Sequence, residues 1–341
     1  RKGVFLLSSS ALSHVLSTYG IQDYQQEKRT EKVYRIHTNT GSYALKKSNV
    51  TNQTMGRWQA VYQWVVQQKV DAFLPIMPNV NQQLLVMNDN DYYYMTPWIE
   101  NETVDMHPAF FHAIGKLHGS TMQRKEFTLD EVRRQNIENS LLEELELYRN
   151  QINAYVEQIE KKRFMSPLEL QIVMNYRYLL RLFDITEYWQ SMYIEALEED
   201  SNWTSCLVHG SLTPDHLIVN DYYQYFLNWE TTYIGSPVDD LYTLCQNMFT
   251  NHDCSLEKIV EGFQIYENYI SFSKVEKCSL VLRLLDLTQL LSFIHEIMES
   301  PRQMKRIPLS IETEREWRRV VLSLQFQEII RSQLESEEEN G

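Results

Sequence analysis

The sequence predicts an α+β chain in two parts: a small antiparallel sheet with one helix, then a larger, mostly helical portion. Three features predict it. Residues 33–46 alternate in character on either side of a turn that carries Asn39 and Gly41, the pattern of a β-hairpin. From about residue 105 the apolar residues recur at steps of three and four, as on a helix with one buried face. Between 205 and 230 short apolar runs break that period before it resumes near Asp240.

The hairpin pairs 33–37 with 42–46 across 38–41. After it Trp58, Val61, Tyr62, Val65 and Val66 recur at helical spacing, so 54–68 is a helix. The runs 83–87 and 92–95 follow as the last strands of the sheet, separated by Asn88-Asp89-Asn90-Asp91, a turn-forming tetrapeptide. Beyond Trp98 the character changes. Pro108 sits in a first turn, with Phe110, Ile114 and Leu117 on one face, and Thr128 with Glu131 has the form of a capping box. Leu141, Leu145, Tyr148, Ile152, Tyr155 and Ile159 mark a long amphipathic helix over 138–162, half of a helical hairpin. The next helix starts at Ser166-Pro167-Leu168-Glu169, an N-cap, a Pro at N1 and a capping Glu. Strand-like runs lie at 206–208, 217–219 and 225–227, and Trp317, Val320, Val321 and Leu324 share a face of a late helix. The expected division is 1–98 for the sheet-bearing lobe, 99–335 for the helical lobe with an irregular segment at 207–241, and 336–341 for a fraying acidic tail.

Composition excludes several classes. At 341 residues the chain can bury a substantial core. Its net charge of −14 and the absence of a basic stripe speak against a nucleic-acid partner. The apolar run at 3–8 is too short for a signal peptide, and the sequence offers no run of 18 apolar residues to span a membrane. The four cysteines, Cys206, Cys245, Cys254 and Cys278, have no C-x-x-C spacing, so they read as reduced packing residues rather than as a zinc site. The 21 tyrosines are scattered along the chain, which points to packing rather than to a binding device.

Three segments carry chemistry. The first is Tyr43-Ala44-Leu45-Lys46 in the sheet, and the second is Ile114-Gly115-Lys116-Leu117-His118. The third runs Val208-His209-Gly210-Ser211-Leu212-Thr213-Pro214-Asp215-His216-Leu217-Ile218, then Phe226-Leu227-Asn228-Trp229-Glu230, then Gly235-Ser236-Pro237-Val238-Asp239-Asp240-Leu241. In order and spacing these resemble the aminoglycoside-phosphotransferase-like superfamily, where the pattern is H-G-D-x-x-P-x-N, a hydrophobic pair plus D, and G-x-P-x-x-D-L. The resemblance implies the bilobal protein-kinase-like fold. It places Lys46 where a lysine contacts nucleotide phosphates, and Asp240 where an acid holds the catalytic loop. His209, Gly210 and Pro214 match the scaffold of that loop.

The departures fall on the catalytic positions. Ser211 stands where the resemblance implies the catalytic Asp, His216 where it implies a metal-binding Asn, and Asn228 where it implies a second metal-binding Asp. Phosphoryl transfer needs an oriented base and a divalent ion held on hard oxygens. A serine hydroxyl is no general base near neutral pH, and that help is worth about 10²–10⁴ in rate. Imidazole nitrogen suits magnesium poorly. The helix 54–68 has no Glu to pair with Lys46, only Gln59 and Gln63, and 27–32 has no glycine to let backbone amides approach a phosphate.

The expected function is that of a catalytically degenerate kinase-like protein, a pseudokinase, with no cofactor and no metal. The alternative is an active ATP- and magnesium-dependent phosphotransferase that uses Lys46 with a displaced carboxylate, Asp215 or Glu230. A third reading is a ligand-binding module whose cleft is lined by Trp98 and by the tyrosines at 92–94. Within the superfamily, the Tyr-Ala-Leu-Lys-Lys strand, the H-G-x-x-x-x-x-H loop and the F-x-N-W-E segment resemble the spore-coat CotS family, in particular its YutH/YsxE-like branch. That resemblance implies synthesis in the mother-cell cytoplasm, a place in the spore coat and other coat proteins as partners.

Overall fold

The computed structural model describes residues 9–102, 105–126, 129–199, 202–220, 223–299 and 306–340. Its contacts divide the chain into two compact units, Arg1–Thr121 with Leu207–Ile234, and Met122–Cys206 with Gly235–Gly341.

In the first unit the alternating residues make the hairpin β2 (Val33–Thr38) and β3 (Gly41–Lys47), with Tyr34 opposite Leu45 and Ile36 opposite Tyr43. β1 (Gln25–Lys28) pairs with β2, and β5 (Asp91–Pro97) pairs with both β3 and β4 (Val86–Asn88). The result is one antiparallel sheet of order β1-β2-β3-β5-β4. β4 and β5 join through Asp89 and Asn90, both at positive φ, the two-residue turn that Asp and Asn tolerate. The strand expected over 83–87 starts only at Val86, because the Gln83 amide donates to the Asn79 side chain in a separate small turn.

One face of the sheet buries Ile36, Leu45 and Met95 against Leu12, Val15 and Leu16 of α1 (Ser9–Thr18). α2 (Met55–Gln68) ends on Lys69 in the left-handed conformation. α3 (Met106–Thr121) buries Phe110, Phe111, Ile114 and Leu117 at the expected spacing. The later segment of this unit ends β7 (Asn202–Val208) and then contains a 3-10 turn at Pro214–His216, the hairpin β8 (Leu217–Val219) and β9 (Gln224–Phe226), and a second 3-10 turn at Trp229–Thr231. It is tied to the loop after α2 by the Phe226 amide donating to the Ala72 carbonyl and by a bridge between Phe73 and Phe226.

The second unit is helical apart from β6 (Gln123–Glu126), which pairs with β7. α4 (Glu131–Glu160) begins earlier than the sequence pattern and is capped by Asp130, whose side chain accepts from the Arg133 amide; Thr128 lies outside the described residues. α5 (Pro167–Glu199) starts as expected: Glu169 accepts from the Ser166 amide at 2.7 Å, and the Ser166 hydroxyl accepts from the Glu169 amide at 3.3 Å. β10 (Tyr233–Gly235) leads into α6 (Pro237–Phe249), and α7 (Leu256–Glu267), α8 (Lys274–Leu284), α9 (Thr288–Glu299) and α10 (Arg306–Asn340) follow.

The tail expected to fray instead continues α10 to Asn340. Lys277 and Lys274 hold Glu337 and Glu338 at 2.5 and 3.0 Å, which offsets the repulsion within the acidic run. The segment Lys274–Glu299 is long and apolar enough to cross a membrane by composition, which the sequence reading did not find. Half of its most apolar window is buried within the fold, including Val281, Leu284, Leu290 and Ile294, as suits core helices. All four cysteines are free thiols, three of them fully buried.

α8 opens on a reciprocal capping box in which Ser273 and Glu276 satisfy each other's backbone amides. Ser273→Ala removes one acceptor and is expected to lower stability by about 1 kcal/mol, measured as a shift of the urea midpoint without a change of slope.

Candidate functional site

The loop after β7 is held by its own backbone. His209 is fully buried, and its Nε2–H donates to the Leu227 carbonyl at 2.6 Å. That fixes the tautomer, leaving Nδ1 to accept from the Ser211 amide at 3.4 Å. Gly210 takes φ +81, and a Cβ built there would stand 2.6 Å from the Thr231 carbonyl oxygen. The Thr231 hydroxyl donates toward the His209 carbonyl and the Ser211 Oγ, each at 3.1 Å, so Thr231 brackets both sides of Gly210. Ser211 thus serves the loop's internal bonding.

Lys46 leaves β3 toward this loop. Its Nζ donates to Glu230 Oε1 at 2.7 Å and also to the Asn228 amide oxygen. The Lys46 side chain is 13% exposed and that of Glu230 5%, so this ion pair is largely removed from water. Burial lowers the Lys46 pKa from its ordinary value, and the charge and hydrogen bond of Glu230 oppose that shift. Glu230 also accepts from the Tyr94 hydroxyl at 3.3 Å and lies 3.5 Å from the Ser48 hydroxyl. Burial, then the Glu230 carboxylate, push the Tyr94 phenol well above its usual range, so it stays a donor.

The carboxylate partner of Lys46 therefore does not come from the helix 54–68. Gln59 and Gln63 are exposed, and the buried residue of that helix nearest the site is Trp58, whose ring lies 6.5 Å from that of Tyr94. The carboxylate comes instead from the turn after Asn228. Asn228 adopts a left-handed conformation, φ 66 and ψ 49, which an Asn tolerates and which aims its amide at Lys46.

His216 is half-buried, and its ring centroid lies 5.4 Å from that of His209. Burial, reinforced by His209 and Lys46, lowers its pKa from 6.5 to about 4, while the Ser211 backbone and Glu230 oppose the shift more weakly. The imidazole is neutral at pH 7. As pH falls below 6.5 the unfolded chain takes up this proton before the folded chain does, so stability is lost between about pH 6.5 and 4. His216→Gln should flatten the fall in urea stability over that window, by roughly 1–2 kcal/mol after allowing for solvent screening of a half-exposed group.

The remaining space is small. A cavity of about 80 Å³ lies among Lys46, Trp58, Phe73, Tyr94, Phe226 and Trp229. Phe73 and Trp229 fill one side with ring centroids 4.8 Å apart. Small-molecule sites ordinarily offer about 300–1,000 Å³. The turn between β1 and β2, where a phosphate would need free amides, uses them internally. Arg29 and Thr30 donate to the Val33 carbonyl, while Lys32 and Val33 donate to the Thr30 hydroxyl. These residues fit a magnesium nucleotide poorly: the lysine is engaged, the amide oxygen is engaged, the third position is a neutral imidazole, and the anion cradle is closed.

Asp215 is exposed in the 3-10 turn beside Pro214. In the second unit Asp240 is fully buried in the first turn of α6, whereas Asp239 is only partly buried and pairs with Arg283. Trp98 packs under the Arg35 guanidinium, 4.7 Å from the ring, and only Tyr94 of the tyrosine run lines the cavity. Sequence reasoning missed Thr231, Ser48 and Trp58 as parts of the site. Thr231, one residue past the F-x-N-W-E segment, and Ser48, one residue past the Tyr-Ala-Leu-Lys-Lys strand, lay close enough to a motif to be found.

The sheet, the helix α2 and the loop that faces Lys46 define a chain with the kinase-like fold. The chain belongs to the APH family, described as the phosphotransferase enzyme family, which it matches over residues 26–262. Among solved structures it is similar to an aminoglycoside phosphotransferase from Alicyclobacillus acidocaldarius, at 12% identity and a TM-score of 0.69, covering 96% of this chain and 97% of that one. It is also similar to the spectinomycin phosphotransferase APH(9)-Ia, at 14% identity and a TM-score of 0.57 over 94% and 99% of the two chains. A microcompartment-associated aminopropanol kinase aligns at 11% identity and a TM-score of 0.56 over 95% and 98%. A search of curated protein sequences returns no match.

Proposed function

We propose that this member of the phosphotransferase family is catalytically degenerate and works as a pseudokinase, an interaction protein built on a kinase-like scaffold. One observation carries the reading: the lysine that should meet nucleotide phosphates is held by Glu230 and Asn228, in a largely dry setting. An incoming nucleotide would have to break that pair, open the 80 Å³ cavity and find its own amide donors. Ser211, neutral His216 and Asn228 would then offer it no anionic oxygen for a divalent ion. An active enzyme of the alternative kind would need Glu230 free to hold a metal, and Glu230 is engaged by Lys46, Tyr94 and Ser48.

The partners we propose are other proteins of a bacterial spore coat, reached from the mother-cell cytoplasm. The support is the likeness of Tyr43-Ala44-Leu45-Lys46-Lys47, of the loop from His209 to His216 and of Phe226-Leu227-Asn228-Trp229-Glu230 to the CotS family. Coat extraction from purified spores, followed by immunodetection, tests the location; a signal confined to the soluble fraction would refute it.

Thermal unfolding with millimolar ATP and magnesium tests the biochemical reading. The expected result is no shift of the midpoint, because a ligand stabilises only by binding the folded state. A rise of several degrees that disappears in Lys46→Ala would overturn it, as would phosphate transfer above background. Restoring the charges in a Ser211→Asp, His216→Asn, Asn228→Asp chain should give at most weak, magnesium-dependent nucleotide binding, since Lys46 and Glu230 stay paired.

A further inference from the structure

The first unit contains a second and much larger cavity, of about 630 Å³, that shares Phe73 as a wall with the small one beside Lys46. It is bounded by the loop after α2, by one face of α3 and by the β8–β9 hairpin. None of its lining belongs to the positions that the phosphotransferase chemistry would use. We propose that it binds a small planar organic anion, an aryl phosphate or an aromatic carboxylate.

The charge comes first. Lys69 from the end of α2 and Lys116 from α3 both line the cavity and are both exposed, and neither has an ion-pair partner among the described residues. Against them, among the described lining residues, stands one carboxylate, Asp71. In a chain of net charge −14, two unpaired cations over one cavity select for an anion over a cation. The flat surface comes second. The rings of Tyr223 and Tyr225 stack at 5.3 Å with an interplanar angle of 18°, and both line the cavity, so a planar group can extend the stack. His112 and Gln224 are hydrogen-bonded at 3.0 Å, which ties the hairpin to α3 and holds that wall in place.

Lys69 caps α2 at φ 54 and ψ 48, a left-handed conformation that normally goes to Gly or Asn. A lysine there is strained where glycine would not be, and strain of this kind gathers at ligand sites. The volume falls in the ordinary range for small-molecule sites, which favours a compact ligand over a peptide.

The test is isothermal titration of the full chain with 4-methylumbelliferyl phosphate, with the uncharged 4-methylumbelliferone and inorganic phosphate alongside. The phosphate ester should bind saturably, and each fragment at least tenfold more weakly. Lys116→Glu should weaken the ester tenfold or more. Tyr225→Ala should weaken the ester but not inorganic phosphate. Lys28→Ala should leave binding unchanged, because that exposed lysine lines neither cavity. Lys69→Gly separates site loss from misfolding: relief of the left-handed strain should raise the thermal midpoint while binding falls. No saturation at millimolar ester, equal binding of the uncharged parent, undiminished binding in Lys116→Glu, or loss of binding in Lys28→Ala would each overturn the proposal.

Discussion

Glu230→Leu is expected to destabilise the first unit by about 3–5 kcal/mol, because it strands a buried ammonium. Lys46 is 13% exposed, and once the carboxylate is gone its partners among the described residues are neutral, the Asn228 amide oxygen and the Tyr94 ring 5.4 Å away. The buried Tyr94 hydroxyl also loses its acceptor, a loss worth about 1–3 kcal/mol in its own right. The two contributions can be told apart. In a Lys46→Met, Glu230→Leu chain the stranded charge is removed but Tyr94 still has no acceptor, so the double variant should recover roughly 2 kcal/mol relative to the single one. A second check is the pH profile of Glu230→Leu. Without its counter-charge Lys46 has a folded-state pKa displaced further below that of the unfolded chain, so stability should return as pH rises through the folded value. If urea midpoints of the single and double variants coincide at all pH values, the ion pair does not hold this region together, and the reading of Lys46 as an occupied residue fails with it.

How much of this was legible in the sequence varies with the range of the interaction. The hairpin β2–β3, the Asp89-Asn90 turn and the Ser166 capping box are fixed by residues within a few positions of each other, and all three appear in the structure. β1 and β6 were missed for the same reason in reverse. Their sequences, Gln25–Lys28 and Gln123–Glu126, are polar throughout and exposed, and their strand character comes from the partner they pair with rather than from alternation. The tail was misread because Lys274 and Lys277, about sixty residues away, supply the counter-charge that 336–341 lacks. At the site, the positions of Ser211, His216 and Asn228 could be located from motif spacing alone. The destination of Glu230 could not. Its partner lies 184 residues earlier in the chain, and no local pattern distinguishes a carboxylate that reaches for a metal from one that reaches for a lysine. Nor does composition reveal that the space beside Lys46 is filled by Trp58, Phe73 and Trp229, which come from three separate segments.

Gly210→Ala tests the loop that carries Ser211 and His216. At φ +81 an alanine costs about 1–2 kcal/mol in backbone conformation alone. The steric term is added to that. The new methyl would stand 2.6 Å from the Thr231 carbonyl oxygen, and that atom is backbone, so no rotamer change can relieve the clash. Separating the two segments also pulls the Thr231 hydroxyl from the His209 carbonyl and from Ser211. With overpacking typically worth about 1–3 kcal/mol, the total falls at roughly 2–5 kcal/mol. Gly56→Ala is the matched control: nothing lies within 4 Å of a Cβ at that position on α2, so the same substitution should stabilise the chain by up to about 1 kcal/mol. Thermal midpoints should therefore move in opposite directions for the two variants. Equal shifts would mean that the close approach of Gly210 to Thr231 is dispensable. In that case the packing of Gly210 against Thr231 would not account for how this loop is held, and an active role for the loop would have to be sought again.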